Sequence, residues 1–121
     1  DRLGPGNIAA MVGEPVMGGA GVLIPPADYW PRVRELLSKH GILLIFDEVV
    51  TAFGRTGSWF DSAARGMAAD IVVTAQGLSS GSAPLGAVLL VPLARHLPRE
   101  VAIAEPECQR PREGNGTEKD R

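Results

Sequence analysis

Lysine is almost missing from this chain. Lys39 and Lys119 are its only two, so no ε-amine lies anywhere between them. Cysteine occurs once, at Cys108, which excludes an internal disulfide and fits a reducing, cytoplasmic setting. Histidine is limited to His40 and His96, neither with Cys, Asp or Glu at metal-ligand spacing, so no metal site is expected. No apolar run is long enough for a membrane-spanning helix, and no basic stretch followed by a hydrophobic one opens the chain. The formal net charge of −2, with both signs interspersed, gives no electrostatic case for nucleic acid or an anionic membrane. Ser79, Ser80 and Ser82 lack the Gly-x-Ser-x-Gly turn of a nucleophile elbow. The run Gly18-Gly19-Ala20-Gly21 lacks the lysine and spacing of a phosphate loop.

What is present is a pattern of short apolar runs separated by helix-like and glycine-rich segments. With 121 residues the chain can bury the core of one domain. Residues 8–12 form a continuous apolar run, as in a strand covered on both faces, ending at Gly13-Glu14-Pro15. Residues 28–40 read as a helix: Asp28 stands at the N-cap, Pro31 falls in the first turn, and Gly41 is the stop. Its apolar stripe is read as Val33, Leu36, Leu37 and Tyr29. Residues 42–46 are the strongest strand signal, five large apolar side chains ending abruptly at Asp47-Glu48. A short helix is expected near residues 58–65, and strands at residues 71–74 and 86–91. Trp59 and Phe60 read as core or interface residues. The start at Asp1 without a methionine suggests part of something larger. Residues 1–93 form the organised part, and residues 94–121 read as a divergent, disordered tail.

Strands alternating with helices predict an α/β fold, a partial doubly wound and mostly parallel sheet. In such sheets ligands bind beyond the carboxyl ends of the strands. Glu14, Asp47 and Gln76 each lie just past the end of a predicted strand, so parallel strands would put all three on one rim. Asp47 is the strongest candidate, because an acid terminating a buried apolar strand needs a cationic or hydrogen-bonding partner. A cap on the following loop is the simpler alternative.

Three ordered blocks resemble the class III pyridoxal phosphate-dependent aminotransferases, the ω-amino acid, ornithine and GABA type. The first is Glu14-Pro15-Val16 with the glycines and Pro25-Pro26 behind it. The second is Asp47-Glu48-Val49-Val50-Thr51-Ala52-Phe53-Gly54-Arg55-Thr56-Gly57. The third is Asp70-Ile71-Val72-Val73-Thr74-Ala75-Gln76-Gly77-Leu78, with Pro84-Leu85-Gly86-Ala87 following. The resemblance covers about residues 7–93. It implies the large domain of a fold-type I enzyme, pyridoxal 5′-phosphate as cofactor, a small-molecule amino donor with a 2-oxo acid as acceptor, and a homodimer. It also implies roles: Asp47 beside the pyridine nitrogen, and Val49 against the ring, since two residues on in an extended segment it would point the same way. Val50 takes a position that varies in the family, Arg55 makes a structural contact, and Glu14 either lines the active-site rim or, more simply, ties down its loop.

The same resemblance makes Gln76 the position of the Schiff-base lysine. A carboxylate beside the ring nitrogen keeps it protonated and able to withdraw electrons. Glutamine cannot replace that lysine. Its amide lone pair is delocalised, so it neither attacks an aldehyde nor accepts a proton near neutral pH, though it can still hydrogen-bond. Covalent attachment of the cofactor is therefore not expected, and neither is ordinary turnover. The other reading of the chain is a non-catalytic remnant that binds cofactor weakly or acts through protein contacts.

Overall fold

The computed structural model describes residues 3–90. The expected tail at residues 94–121, with His96, Cys108 and Lys119, lies outside the described residues. Four strands form one sheet: β1 (Ala10–Gly13), β2 (Leu43–Asp47), β3 (Ile71–Thr74) and β4 (Ala87–Leu90), in the spatial order β1-β2-β3-β4. β1, β2 and β3 are parallel, and β4 returns antiparallel to β3. The helix α1 (Tyr29–Lys39) joins β1 to β2, and the single turn α2 (Asp61–Ala64) lies between β2 and β3. The predicted α/β arrangement with a mostly parallel sheet is there, its helices on one face among the described residues. β3 spans its predicted residues, whereas β1, β2 and β4 are trimmed or shifted by a residue or two, where pairing partners rather than apolar content set the ends. Among the described residues no helix is long and apolar enough to cross a membrane.

Period-two alternation sorts the sheet into two faces. Leu44 and Phe46 of β2 are fully buried and share a face with Met11, Gly13 and Val72. That face carries α1 and the main core, in which Trp30, Leu37, Ile42, Leu44, Phe46, Ala69 and Val72 pack together. Each large core side chain contributes roughly 1.5–3 kcal/mol of burial. The opposite face presents Val12, Ile45, Ile71, Val73, Val88 and Leu90. It carries no helix among the described residues, and Val12 and Val88 stay 64% exposed.

The stripe of α1 differs from its reading. Trp30, Val33 and Leu37 face the sheet, while Leu36 is 58% exposed and Tyr29 also reaches solvent. Spacing alone admits either set. Trp30 decides it, because its ring stacks edge-on against Phe46 with centroids 4.7 Å apart and its indole N–H donates to Pro15 O at 3.2 Å. Asp28 occupies the N-cap position, yet its side chain caps nothing and instead pairs with Arg32 at 3.4 Å in solvent. Gly41 ends the helix with φ of 66°, as expected.

The same indole explains Gly13. A Cβ there would meet Trp30 Cη2 at 2.5 Å, and the ring has no slack between Pro15 and Phe46. Gly13→Ala is therefore expected to cost about 1–3 kcal/mol through overpacking. Urea unfolding followed by tryptophan fluorescence reads that loss directly.

Candidate functional site

The carboxyl ends of β1, β2 and β3 form one rim, as parallel strands require. Glu14 follows β1, Asp47 is the last residue of β2, and Gln76 follows β3 after Ala75. Neighbouring strands lie about 4.8 Å apart, so the ends carrying Asp47 and Gln76 are adjacent.

Asp47 stands on the uncovered face, in a row with Val73 and Val88. It is half-buried. Its Oδ1 accepts the Val49 N–H at 3.0 Å, which is the loop cap weighed from sequence. Its Oδ2 takes no hydrogen bond from the described residues. The cap therefore occupies one oxygen and leaves the other free at the edge of an apolar surface, where a cationic or N–H partner fits best.

Val49 is half-buried but not in an extended segment. The ladder stops at Asp47, and the chain turns at Val49 through the Asp47 cap. An extended strand would have repeated the direction of Asp47, so the turn, not strand alternation, sets the placement of Val49. Gln76 is exposed at the start of a 3-10 turn (Gln76–Ser79), an element absent from the sequence reading. Glu14 performs the modest role foreseen for it, accepting the Gly18 N–H at 2.9 Å and closing its loop. Arg55 is exposed and has no ion pair among the described residues. Trp59 is 76% exposed and so is not core here, whereas Phe60 packs against the core.

Two buried acids, Glu48 and Asp61, support the rim, while a third, Asp70, stands at the opposite, amino end of the parallel strands. Glu48 is fully buried and was missed from sequence. Its carboxylate accepts the Asp61 N–H at 2.7 Å, the Ser62 N–H at 3.2 Å, the Thr51 hydroxyl at 3.0 Å, and the Ser62 hydroxyl. It thus satisfies the orphan donors that open α2 and ties the loop after β2 to that helix. The signal was available: alternation from Leu44 through Phe46 lands on Glu48 and points it inward. Asp61, buried as well, pairs with Arg65 at 2.7 Å. Asp70, just before β3, accepts the Leu44 N–H at 2.7 Å and pairs with Arg34 of α1 at 2.6 Å, joining helix to sheet. The Thr74 hydroxyl is buried without a partner among the described residues. It lies on the α1 face, opposite Asp47, so it does not belong to the same side of the rim.

A pocket of about 220 Å³ opens at the free edge of β1, between Met17, Leu23 and Trp30, away from Asp47 and Gln76. Among the described residues no group of three or more His, Cys, Asp or Glu is placed to hold a metal.

The sheet is that of the large domain in solved fold-type I transaminases. The chain belongs to the aminotransferase class-III family, whose model matches residues 2–93. It is 49% identical over 89 residues to the putrescine–pyruvate aminotransferase of Pseudomonas aeruginosa, covering 74% of this chain and 20% of that protein. A thermostable (S)-enantioselective ω-transaminase from Thermomicrobium roseum superposes with a TM-score of 0.74 at 49% identity, covering 78% of this chain and 21% of that one. An amine transaminase from an uncultivated Pseudomonas species, solved in its PLP-bound form, is 55% identical with a TM-score of 0.71, covering 74% and 20%. The chain therefore spans about a fifth of the length of the relatives it matches.

Proposed function

We propose that this chain is part of the cofactor-binding large domain of a pyridoxal 5′-phosphate-dependent aminotransferase, one that passes an amino group from an amine or ω-amino acid to a 2-oxo acid. In this reading Asp47 faces the pyridine nitrogen, Val49 lies against the ring and Gln76 holds the position of the Schiff-base lysine. The observation that carries it is the free Oδ2 of Asp47 on an apolar rim, one strand away from position 76. When bound, the cofactor supplies an electron sink for a substrate carbanion.

The residues fit that group in part. Asp47 has the charge and the free acceptor for a protonated ring nitrogen. Gln76 can donate or accept a hydrogen bond but offers no nucleophile or base, so no proton transfer is assigned to it. Lys39 does not replace it: it ends α1, at the edge of the sheet where β2 begins, a strand length (about 13 Å) from the Asp47 rim. We take this chain to hold the cofactor without a covalent bond and without turnover. A homodimeric assembly belongs to the reading, supported by the outward Trp59, and so does a cytoplasmic location, supported by the near-absence of cysteine.

The test is titration with pyridoxal phosphate, read by absorbance, for the native chain and for Asp47→Asn. Loss of one charge-assisted hydrogen bond should weaken binding about tenfold or more. Borohydride treatment and peptide mapping should find no specific adduct in residues 3–90, and pyruvate or 2-oxoglutarate should support no turnover. A stoichiometric adduct there, or binding indifferent to Asp47→Asn, would overturn this assignment. Failure to bind at all favours the non-catalytic remnant.

A further inference from the structure

Two unusual features meet beside position 76. Phe53 adopts a left-handed backbone, with φ of 58°. That region is strained for a bulky non-glycine side chain and persists only where its surroundings enforce it. Here the enforcement is visible: the Phe53 N–H donates to Trp59 O at 2.7 Å, and the Gly54 N–H donates to Ser58 O at 3.0 Å, closing residues 53–59 into a tight loop. Aromatic neighbours then fix the ring, with Trp59 edge-on at 6.2 Å and Phe60 tilted at 5.8 Å. Phe60 itself packs against the core.

The second feature is Gly77. Its φ is not positive, so its backbone would suit any residue. What forbids a side chain is space: a Cβ on Gly77 would come within 2.7 Å of Phe53 Cδ2. The glycine therefore exists to let the ring press on the main chain immediately after residue 76. Beyond it the turn closes on itself, with the Gly81 N–H donating to Gln76 O at 3.0 Å and Ser80 at φ of 53°.

We propose that Phe53 is a positioning residue for position 76. Its ring clamps Gly77 and so fixes the backbone from which the side chain at 76 projects over the rim. The loop after β2 would then register the Asp47 side of the site against the residue-76 side. The functional meaning of this clamp rests on the cofactor reading above, but its existence does not.

Nuclear magnetic resonance on the isotope-labelled native chain tests it without cofactor. The α-protons of Gly77 should be shifted upfield by the Phe53 ring current, and the Gly81 amide should be protected from hydrogen exchange. Phe53→Gly keeps the left-handed backbone unstrained and removes only the ring. It should abolish the shift and reduce Gly81 protection about tenfold or more, while the Leu44 and Val72 amides stay protected. Phe53→Leu, which keeps apolar bulk, should restore Gly81 protection. The clamp is overturned if native Gly77 shows no upfield shift, if Gly81 is indifferent to Phe53→Gly, or if protection falls equally across the sheet. In a parallel titration, pyridoxal phosphate affinity indifferent to Asp47→Asn would remove the cofactor reading and leave the clamp standing.

Discussion

Glu48→Ala is expected to remove most of the stability of the fold. The carboxylate is wholly buried and takes four hydrogen bonds, two from the backbone that begins α2 and two from the Thr51 and Ser62 hydroxyls. Alanine removes the acceptor and leaves all four donors in a dry site, together with a cavity. Each unsatisfied buried donor costs about 1–3 kcal/mol, and partial relaxation makes a net loss of roughly 4 kcal/mol reasonable. Small domains have only about 5–15 kcal/mol in total, and a short chain with one open sheet face sits at the low end. Glu48→Gln should be milder. Its carbonyl oxygen can still accept from the start of α2, but its NH₂ would face donors. Denaturant midpoints by circular dichroism should rank native above Gln above Ala. Equal midpoints for native and Ala would mean the buried carboxylate contributes nothing.

The second large effect concerns position 76. Gln76→Lys should convert a chain with no specific borohydride-reducible adduct in residues 3–90 into one labelled by pyridoxal phosphate at one preferred site, residue 76. The amine would project from the exposed start of the 3-10 turn, one strand from Asp47. Labelling should fall in the double variant Gln76→Lys with Asp47→Asn, because the carboxylate that attracts the ring nitrogen is gone. Saturation should need a high cofactor concentration, since the only glycine-rich run, beside Gly18 and Gly19, is tied to Glu14 and has no phosphate-loop form. Peptide mapping by mass spectrometry locates the label. Equal labelling of Lys39 and residue 76 would show surface chemistry rather than a site.

Strand cores were legible because large apolar runs, such as residues 42–46, have few other places to go. The rim followed from parallel pairing, which a strand–helix–strand rhythm implies. Three things were not legible. Trp30 displaced Leu36 from the stripe of α1, since periodicity fixes a face only to within a neighbouring position and Phe46 made the choice. Val49 was carried along an imagined strand, whereas a side-chain cap from Asp47 ended that strand one residue after Phe46. Alternation along β2 could have marked Glu48 as inward-pointing, but neither its partners nor those of Asp70 were readable. Their partners are backbone N–H groups distant in sequence, Ser62 for one and Leu44 for the other, and no local pattern announces such a pairing. The blocks that carry the family resemblance were plain to read, but contacts between them, such as Phe53 on Gly77, needed three dimensions.

Every strand of this sheet hydrogen-bonds to the one preceding it in the chain. Assembly can therefore proceed by adding neighbours, with no early pairing between distant ends, which keeps the loop-closure entropy of each step small. The connection from β3 to β4 is shorter than either parallel crossover and needs no helix to cover it. The turn carrying residue 76 should thus close first during folding, and the strand that ends in Asp47 then docks onto a hairpin already formed.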